Sequence, residues 1–390
     1  MLMYPDPLKD YPEEWIEEIV SVKNQDDIIL LERRAFQNII HGPSLRKFYE
    51  RIEELSELEN LHQLPDFPET PFSFLYVIPK KQHEIRKLAP LIHDFYLENK
   101  ISAVVDIGGG IGLLAQSLTN HYGLVVHSLD MDQSLQATGQ ARNKKNAKDP
   151  NNKVSYHNLK IDSQNLAFKQ LLTPSMMSVG LHTCGILALD QLKTSQENKL
   201  RGIINFGCCY HKLAKHEIGQ NVSQFAQSLD EPIHQNLYAL TLASRAHKKM
   251  NQKDYDFKLK VKLYRYAIHF LLTDQYGQEK MLTLGNTHPK IYNEAFAVYA
   301  QEQFNRLGIR NTLSETELNH YFENEQRLQL IHKMLAAGLI RNALGRLLEI
   351  YLLLDRAIYL EEQGYEARLI ECFDESISPR NIAVIAHQIN

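Results

Sequence analysis

Five histidine and cysteine side chains that could do chemistry follow two apolar runs near the middle of the chain. Two come after run 177–181 and three after run 200–206: His182, Cys184, Cys208, Cys209 and His211. Imidazole accepts a proton near neutral pH, and thiolates bind soft metal ions or act as nucleophiles. Both runs predict buried strands. Because ligands bind at the carboxyl ends of strands in α/β sheets, we expect the two groups to converge at one site.

Three interpretations fit this cluster. The residue types suit zinc, but no C-x-x-C pair is present and Cys208 directly precedes Cys209, which is poor geometry for one tetrahedral ion, so no metal is expected. Cysteine also packs as a small hydrophobic side chain, which suits Cys184 and Cys208. In the third interpretation, His182 accepts a proton from the substrate, with His211 beside it. We predict His182 and His211 as catalytic residues and leave the cysteines open between packing and catalysis.

A glycine-rich segment, 101–132, has the pattern of a strand, a loop, a helix and a second strand. Its apolar runs 101–105 and 124–129 predict parallel strands. An acid ends each run, Asp106 the first and Asp130 the second. The loop between the first strand and the helix contains four glycines: Gly108, Gly109, Gly110 and Gly112. Glycine lets the backbone approach a ligand closely, and an acid at the second strand end can accept hydrogen bonds from a ribose.

The order of acid and glycines, D-I-G-G-G-I-G, distinguishes two classes of cofactor. A dinucleotide site needs G-x-G-x-x-G, and Leu113 stands where the third glycine would be. S-adenosylmethionine carries a cationic sulfonium and an amino group but no phosphate, so a carboxylate before the loop favours it. We therefore predict S-adenosylmethionine as the cofactor, with Asp130 on the ribose and Asp162 on the adenine. The predicted binding residues are Asp106, Gly108, Gly110, Asp130, Asp162 and His182.

The apolar pattern also predicts the elements that position these residues. Seven strands are predicted: 101–105, 124–129, 154–159, 177–181, 200–206, 365–373 and 382–387. A helix pattern follows most of them, and a long apolar helix at 336–363 precedes a terminal hairpin. The predicted fold class is α/β, a Rossmann-like seven-stranded sheet. The predicted domains are an N-terminal helical region, 1–70, and a sheet domain, 71–390, whose core is 100–209 and 336–390 with a helical insertion at 210–335.

The composition indicates a globular protein. The chain has 390 residues, 44% of them hydrophobic, and its net charge of −4 does not make the whole surface suitable for nucleic acid. Its four cysteines do not form the pattern of a disulfide framework, and no apolar run reaches the length of a membrane span. The first residues lack the cationic start and apolar core of a signal peptide. We expect a cytoplasmic protein with no membrane partner.

Six motifs, in this order, resemble the methyltransferase-like 25 group over residues 72–390: PKKQHEI, VVDIGGGIG, LHTCG, FGCCYHKL, LLLDRAIYLEEQG and SPRN. The resemblance implies a class I S-adenosylmethionine-dependent methyltransferase whose acceptor enters over His182 and 208–211. The H-x-C-G and C-C-[HY] pair is also similar to tRNA 2′-O-methyltransferases, although the cysteine-rich zinc fingers of those enzymes are lacking. The acceptor stays open among RNA, protein and small molecules, with RNA or protein favoured.

Two other classes of function compete with this prediction. The first is a non-catalytic S-adenosylmethionine-binding or scaffold protein that keeps the Rossmann-like fold and uses its helical regions for partners. The second is a nicotinamide dehydrogenase, which the acid before the glycine loop argues against. Turnover on a methyl acceptor would distinguish the methyltransferase from the first, and the identity of the bound cofactor would distinguish it from the second.

Overall fold

The structure is a computed structural model that describes residues 8–61, 65–70, 73–146, 153–162, 164–215, 221–230, 235–245, 251–278, 282, 284–285 and 287–389. The chain divides into two compact units. One comprises 1–55 and 249–344, and the other comprises 56–248 and 345–390. All the residues predicted for the site belong to the second unit.

An eight-stranded sheet lies at the centre of the second unit. Its strands are β1 (Glu59–Asn60), β2 (Val104–Ile107), β3 (Val126–Asp130), β4 (Val154–Asn158), β5 (Met177–Cys184), β6 (Gly202–Cys208), β7 (Tyr365–Glu371) and β8 (Ile382–Gln388). The strand order is β1-β7-β8-β6-β5-β2-β3-β4. Only β8 runs against its neighbours, β6 and β7, and the other pairs are parallel. The fold is therefore α/β and Rossmann-like, as predicted.

The helices are α1 (Glu13–Ser21), α2 (Gln25–Glu32), α3 (Pro43–Leu55), α4 (Pro79–Glu98), α5 (Leu113–Tyr122), α6 (Gln133–Asn146), α7 (Leu166–Leu171), α8 (Ile186–Glu197), α9 (Gln224–Gln227), α10 (Leu237–Ala243), α11 (Gln252–Tyr276), α12 (Phe296–Leu307), α13 (Glu315–Glu323) and α14 (Glu325–Glu362). Two 3₁₀ helices, Tyr210–Lys215 and Pro289–Asn293, complete the set in the described residues. No helix within these residues is long and apolar enough to cross a membrane.

The predicted strand count of seven is one too low for the described residues. The additional strand is β1, which pairs in parallel with β7 inside a region that was predicted to be helical. Two exposed residues, Glu59 and Asn60, are too short a strand to leave an alternating pattern in the sequence. The predicted terminal hairpin is confirmed: β7 and β8 pair antiparallel, and β8 also pairs with β6.

Five strands extend beyond the ends of their predicted runs, β2 and β5 among them. The predicted run 101–105 corresponds to β2, which continues through Asp106 and Ile107, because Asp106 pairs with Ser128 on one side and Val179 on the other. The predicted run 177–181 corresponds to β5, which continues through the H-T-C segment to Cys184. The pairing with β6 shifts between Leu181 and Thr183, so a bulge at this point lets the ladder resume beyond the apolar run.

Each unit has its own apolar core. In the second unit, α4 and α5 pack on the sheet through Leu88, Ile92 and Leu118, each of them fully buried. The first unit is held by an aromatic cluster between α11, α12 and α13, in which Phe296 stacks on Phe322 and Tyr264 meets both rings edge-on. The core of the second unit positions the candidate site, because the strands that end there, β2, β3, β5 and β6, are buried along most of their length.

Candidate active site

The site lies where the sheet changes its direction of winding. Strand β2 has β3 on one side and β5 on the other, so the chain proceeds to one edge through β3 and β4 and then returns through β5 and β6. In an open α/β sheet, the crevice at this switch point, outside the carboxyl ends of the strands, is the position at which ligands bind. The glycine loop follows β2 here, and the H-T-C-G segment ends β5.

The glycine loop takes a backbone conformation that is unfavourable for residues other than glycine. Gly108 and Gly110 have φ values of +68° and +57°, in the left-handed region that favours glycine. Asp130 holds the loop from the end of β3, since its carboxylate accepts hydrogen bonds from the N–H of Gly110 at 2.9 Å and from the N–H of Asp132 at 2.9 Å. A carboxylate oxygen can accept more than one hydrogen bond, so Asp130 still has capacity for a ribose hydroxyl.

Asp106 lies beneath this loop as a buried acid. Its side chain is 3% exposed, and burial raises its pKa to about 7; nearby Lys81 lowers it and Asp130 raises it further. Its Oδ2 atom has no hydrogen-bond partner among the described residues, and Ser128 Oγ beside it has none either. A Cβ atom at Gly109 would lie 2.6 Å from Asp106 Oδ2, so the loop backbone covers the acid closely. An orphaned buried carboxyl under a glycine loop fits a cationic ligand above the loop.

Asp162 follows β4 and lies further from these contacts. Its carboxylate pairs with Lys160 Nζ at 2.6 Å and accepts a hydrogen bond from the N–H of Gln164 at 2.9 Å. The hydrogen bond with Lys160 lowers the pKa of Asp162. Asn158, at the end of β4, donates to the carbonyl oxygens of Asp130 and Met131, which joins the end of β4 to that of β3. The contacts of Asp162 are thus local to the segment after β4, and its contact with an adenine stays a prediction.

His182 is joined to an acid that our sequence analysis did not single out. Its Nε2 atom lies 2.7 Å from Oε1 of Glu84, in the first turns of α4. The Glu84 side chain is fully buried, whereas that of His182 is 21% exposed. The signal was available: Glu84 falls on the same helical stripe as Leu88 and Leu91, so the spacing points a charge into the core. A buried acid on an apolar stripe is expected to have partners, because an unpaired one is costly.

Three further groups contact the Glu84 carboxylate. Ser378 donates a hydrogen bond from Oγ to Oε1 at 2.7 Å, and Lys81 Nζ lies 2.8 Å from Oε2. Lys80 Nζ lies 3.5 Å from Oε1. Burial alone would raise the pKa of Glu84, but the hydrogen bond and charge of His182 and those of Lys81 outweigh it and hold the pKa well below its usual range. Three of the motifs, PKKQHEI, LHTCG and SPRN, thus meet at one carboxylate.

A second buried carboxylate, Glu349 of α14, fixes the surrounding segments. It accepts hydrogen bonds from Arg380 Nη1 at 2.7 Å, Tyr210 OH at 3.3 Å and Arg346 Nη1 at 3.0 Å. Tyr210 directly follows the two adjacent cysteines, and Arg380 belongs to the SPRN motif. Glu349 therefore ties the segment after β6 to the turn that carries Ser378.

The ends of β5 and β6 bring three cysteines together. Cys184 and Cys208 are paired in register, and their Sγ atoms lie 3.0 Å apart. The ligand atoms of Cys184, Cys208 and Cys209 all lie within 4.8 Å of one another. The hydrogen bond from Cys208 lowers the pKa of Cys184 to about 5, and the same pairing, followed by burial, raises that of Cys208. Adjacent cysteines were expected to be poor geometry for one tetrahedral ion, but Cys209 has a left-handed φ of +50°, which turns the chain there.

His211, the other predicted catalytic residue, is exposed in the 3₁₀ helix after β6. Its backbone N–H donates to Ser244 Oγ at 3.2 Å. Within the described residues, no hydrogen bond or ion pair joins its imidazole to His182 or Glu84. The glycine loop, Asp106 and Asp130 thus lie at the ends of β2 and β3, and Glu84 pairs with His182 at the end of β5, while the contact described for His211 is to Ser244.

Part of the chain matches a known protein family. Residues 80–216, about a third of the chain, match the family model described as "Methyltransferase domain". This range contains the glycine loop, Glu84, His182 and the three clustered cysteines. These residues thus resemble a methyltransferase domain, and S-adenosylmethionine is the cofactor that such a domain implies.

The resemblance to the methyltransferase-like 25 group is confirmed. The chain is 28% identical over 225 residues to "Probable methyltransferase-like protein 25" of Homo sapiens, and 27% identical over 226 residues to the protein of the same name from Mus musculus. Both alignments cover 54% of this chain, and they cover 36% and 37% of the relatives. The chain thus spans about a third of the length of the curated relatives that it matches.

Two solved structures are similar at low scores. Magnesium protoporphyrin IX methyltransferase from Synechocystis, with bound SAH, is 13% identical with a TM-score of 0.26, over 42% of this chain and 66% of that one. Coclaurine N-methyltransferase, bound to N-methylheliamine and SAH, is 12% identical with a TM-score of 0.28, over 97% of this chain and 99% of that one. Scores this low do not establish a common fold, and the fold assignment rests on the strand order described above.

Proposed function

We propose that this chain transfers a methyl group from S-adenosylmethionine to an acceptor, with RNA or protein favoured as the acceptor. The observation that supports this function is the meeting of two groups at the switch point of the sheet. One is a glycine loop over the buried Asp106, and the other is a histidine–glutamate pair at the end of β5. The first group suits a cationic cofactor, and the second suits removal of a proton from an acceptor.

The cofactor would be held by residues of β2, β3 and the segment after β4. Gly108 and Gly110 would let the backbone approach the amino acid part of the cofactor, and Asp106 beneath them would favour its positive charge. Asp130 would accept hydrogen bonds from the ribose hydroxyls, and Asp162 would accept one from the adenine amine. When bound, the cofactor supplies an electrophilic methyl group on a sulfonium.

His182 would accept the proton that the acceptor loses. Glu84, whose pKa is held low, is ionised and can only accept a hydrogen bond, so His182 carries its hydrogen on Nε2. The Nδ1 atom of neutral His182 then has a free lone pair and can take a proton from an oxygen or nitrogen nucleophile. His182 would hold the released proton on Nδ1 while the nucleophile takes the methyl group, and the sulfur left behind would be a neutral thioether. Glu84 would stabilise the resulting imidazolium.

The test has two parts, run on the full chain. Calorimetry should show binding of S-adenosylmethionine but not of NADH. A labelled methyl group should then pass to one fraction when RNA, protein and metabolite pools from the native cell are supplied in turn. Binding without transfer to any pool would favour the non-catalytic binding protein instead, and binding of NADH alone would contradict the proposal. A cytoplasmic location is part of the same proposal and is checked by fractionating cells.

A further inference from the structure

We propose that Cys184, Cys208 and Cys209 form a binding site for one zinc ion at the carboxyl ends of β5 and β6. The three thiols are the group of potential metal ligands that the described residues bring together. Sulfur is the ligand that zinc takes in its tightest protein sites, and three protein ligands with one open position are typical of reactive rather than structural zinc. The inference concerns binding of the ion and does not depend on methyl transfer.

The distances between the sulfur atoms suit one ion. At a zinc–sulfur distance of about 2.3 Å, tetrahedral coordination separates two sulfurs by about 3.8 Å. The Cys184 and Cys208 sulfurs lie 3.0 Å apart, and the three sulfurs all lie within 4.8 Å of one another. The required separation falls between these two distances. Side-chain rotations that change the sulfur–sulfur distances by about an ångström would therefore bring all three sulfurs to the ion. Up to three protons pass from the thiols to solvent when the ion binds.

The backbone around the thiols is arranged in a way that packing alone does not require. His182 and Cys209 both have left-handed φ values, +64° and +50°, which cost free energy for residues other than glycine. Gly185, next to Cys184, has φ +58° and ψ −122°, and its N–H donates to the Cys208 carbonyl at 3.0 Å. Several left-handed backbone conformations around one cluster are characteristic of a functional site. Here they accompany three sulfur atoms that lie close together.

The cluster has a cation beside it and an open side. Lys212 lies close enough to Cys184 for its charge to act on that thiol. Three thiolates and a divalent cation carry one net negative charge, which Lys212 would balance. Cys208 is buried, while Cys184 and Cys209 are half-buried, so the cluster has an open side from which an ion could enter and a fourth ligand could bind.

Cys372 provides the contrast and the control. It is a lone, buried thiol near the end of β7, packed in the apolar core, and burial raises its pKa to about 12. A cysteine that only fills space has this environment. Replacement of Cys372 by serine should therefore leave metal binding intact, whereas replacement of either half-buried thiol of the cluster should abolish it.

The experiment measures zinc on the full chain, purified with a phosphine reductant and dialysed against a weak chelator. Wild type and Cys372→Ser should retain about one zinc per chain, and Cys184→Ser and Cys209→Ser should retain less than about a tenth of that, with circular dichroism unchanged. Cobalt added to the zinc-free wild type should give the intense thiolate-to-cobalt absorption, which both cluster variants should lack.

Three outcomes would overturn the inference. The first is zinc-free wild type that takes up neither zinc nor cobalt while all four thiols are reduced. The second is equal metal retention in Cys209→Ser and wild type, which would show an adventitious ion elsewhere. The third is a Cys184–Cys208 disulfide in protein isolated without reductant, combined with failure of the reduced protein to bind metal, which would show that the pair is redox-active instead. None of these readouts depends on methyl transfer, so failure here leaves the proposed function untouched.

Discussion

Oε1 of Glu84 lies 2.7 Å from Nε2 of His182, although the two residues are 98 positions apart in the chain. The acid comes from a helix that precedes the sheet, and the histidine comes from a bulge near the end of β5. An ionised carboxylate on one nitrogen of an imidazole fixes its tautomer and leaves the other nitrogen free to accept a proton. The pair therefore fixes the orientation of His182 and leaves Nδ1 as the nitrogen outside this contact.

Glu84→Gln should lower the free energy of unfolding by roughly 1.5–3 kcal/mol, the range for hydrogen bonds to a charged group. The amide keeps the shape of the side chain but loses the charge that Lys81 and His182 face. Urea denaturation measures the change. Glu98→Gln, at an exposed position of the same helix, is the control and should stay within about 0.5 kcal/mol of wild type. A Glu84→Gln variant as stable as that control would show that the buried charge is not needed.

His182→Asn should lower turnover by roughly 10²- to 10⁴-fold once the acceptor is known, because the amide cannot take up the proton. Asparagine is chosen because it tolerates the left-handed φ of +64° at this position better than most residues. Affinity for S-adenosylmethionine, measured by calorimetry, should stay close to that of wild type. Joint loss of cofactor affinity and melting temperature would indicate that His182 shapes the pocket rather than accepting a proton.

Affinity for S-adenosylmethionine should increase as the pH rises towards 7. The pKa of Asp106 is raised to about 7 by burial, from 3.8, so the folded protein without cofactor keeps this proton over the intervening pH range. A cationic ligand prefers the ionised acid and must displace the proton, so affinity should rise by up to about tenfold per pH unit below the pKa. Calorimetry between about pH 5 and 6.5 stays below the range in which the ligand's own amino group titrates.

The proton on Asp106 also affects the folding stability of the protein without cofactor. The pKa of Asp106 is higher in the folded protein than in the unfolded chain. Its contribution to the free energy of unfolding is therefore greatest below the unfolded pKa, declines as the pH rises between about 4 and 7, and is lost above 7. Asp106→Asn should flatten both profiles. An unchanged slope of affinity against pH in that variant would assign the effect to another group.

Asp130→Ala should weaken binding of S-adenosylmethionine by about 1–3 kcal/mol, since it removes the acceptor of the Gly110 N–H as well as the proposed ribose contact. Asp132→Ala is the matched control, two residues further on. Its carboxylate accepts hydrogen bonds from the N–H groups of Ser134 and Leu135 at the start of α6, so its loss should lower the melting temperature but not the affinity. Equal affinities for the two variants in calorimetry would exclude Asp130 from the site.

Gly185→Ala should destabilise the protein by roughly 1–3 kcal/mol. Its φ of +58° is unfavourable for alanine, and the new Cβ would lie 2.8 Å from Cβ of Lys212. Gly338→Ala, in α14, is the opposite case: a Cβ there meets nothing within 4 Å, and alanine should add roughly 0.5–1 kcal/mol in a helix. Thermal or urea unfolding of both variants tests the pair. A stable Gly185→Ala would contradict the backbone conformation at the end of β5.

The sheet could be predicted from the sequence because most of its strands are buried on both faces. Such strands are continuous apolar runs rich in β-branched residues, as at 101–105 and 200–206. The terminal hairpin could be predicted in the same way, since apolar runs reappear after a long helix pattern. Strand β1 could not be predicted, because its two exposed residues take part in the sheet only through their backbone.

The glycine loop and its acids were predictable from order alone, whereas Glu84 was overlooked and the convergence of the cysteines was not readable. The spacing of Glu84 from Leu88 and Leu91 indicates that it points inward, but its partners His182 and Ser378 are distant in sequence and no pattern identifies them. The direction of the Cys209 thiol depends on a left-handed φ that no sequence pattern indicates. Long-range contacts and unusual dihedral angles are thus the part that a sequence leaves undetermined.

The contact between Ser378 and Glu84 spans 294 positions, and it sets the order in which this region can form during synthesis. At about 5–20 residues per second, the roughly 200 residues between His182 and Ser378 take on the order of 10–40 s to translate. Strand β8 pairs with both β6 and β7, so the edge of β6 that β8 covers stays unpaired until residues 382–388 have been made. An open edge recruits other strands. A nascent chain that has passed β6 but has not reached β8 therefore carries an exposed strand edge, at which it could associate with other chains.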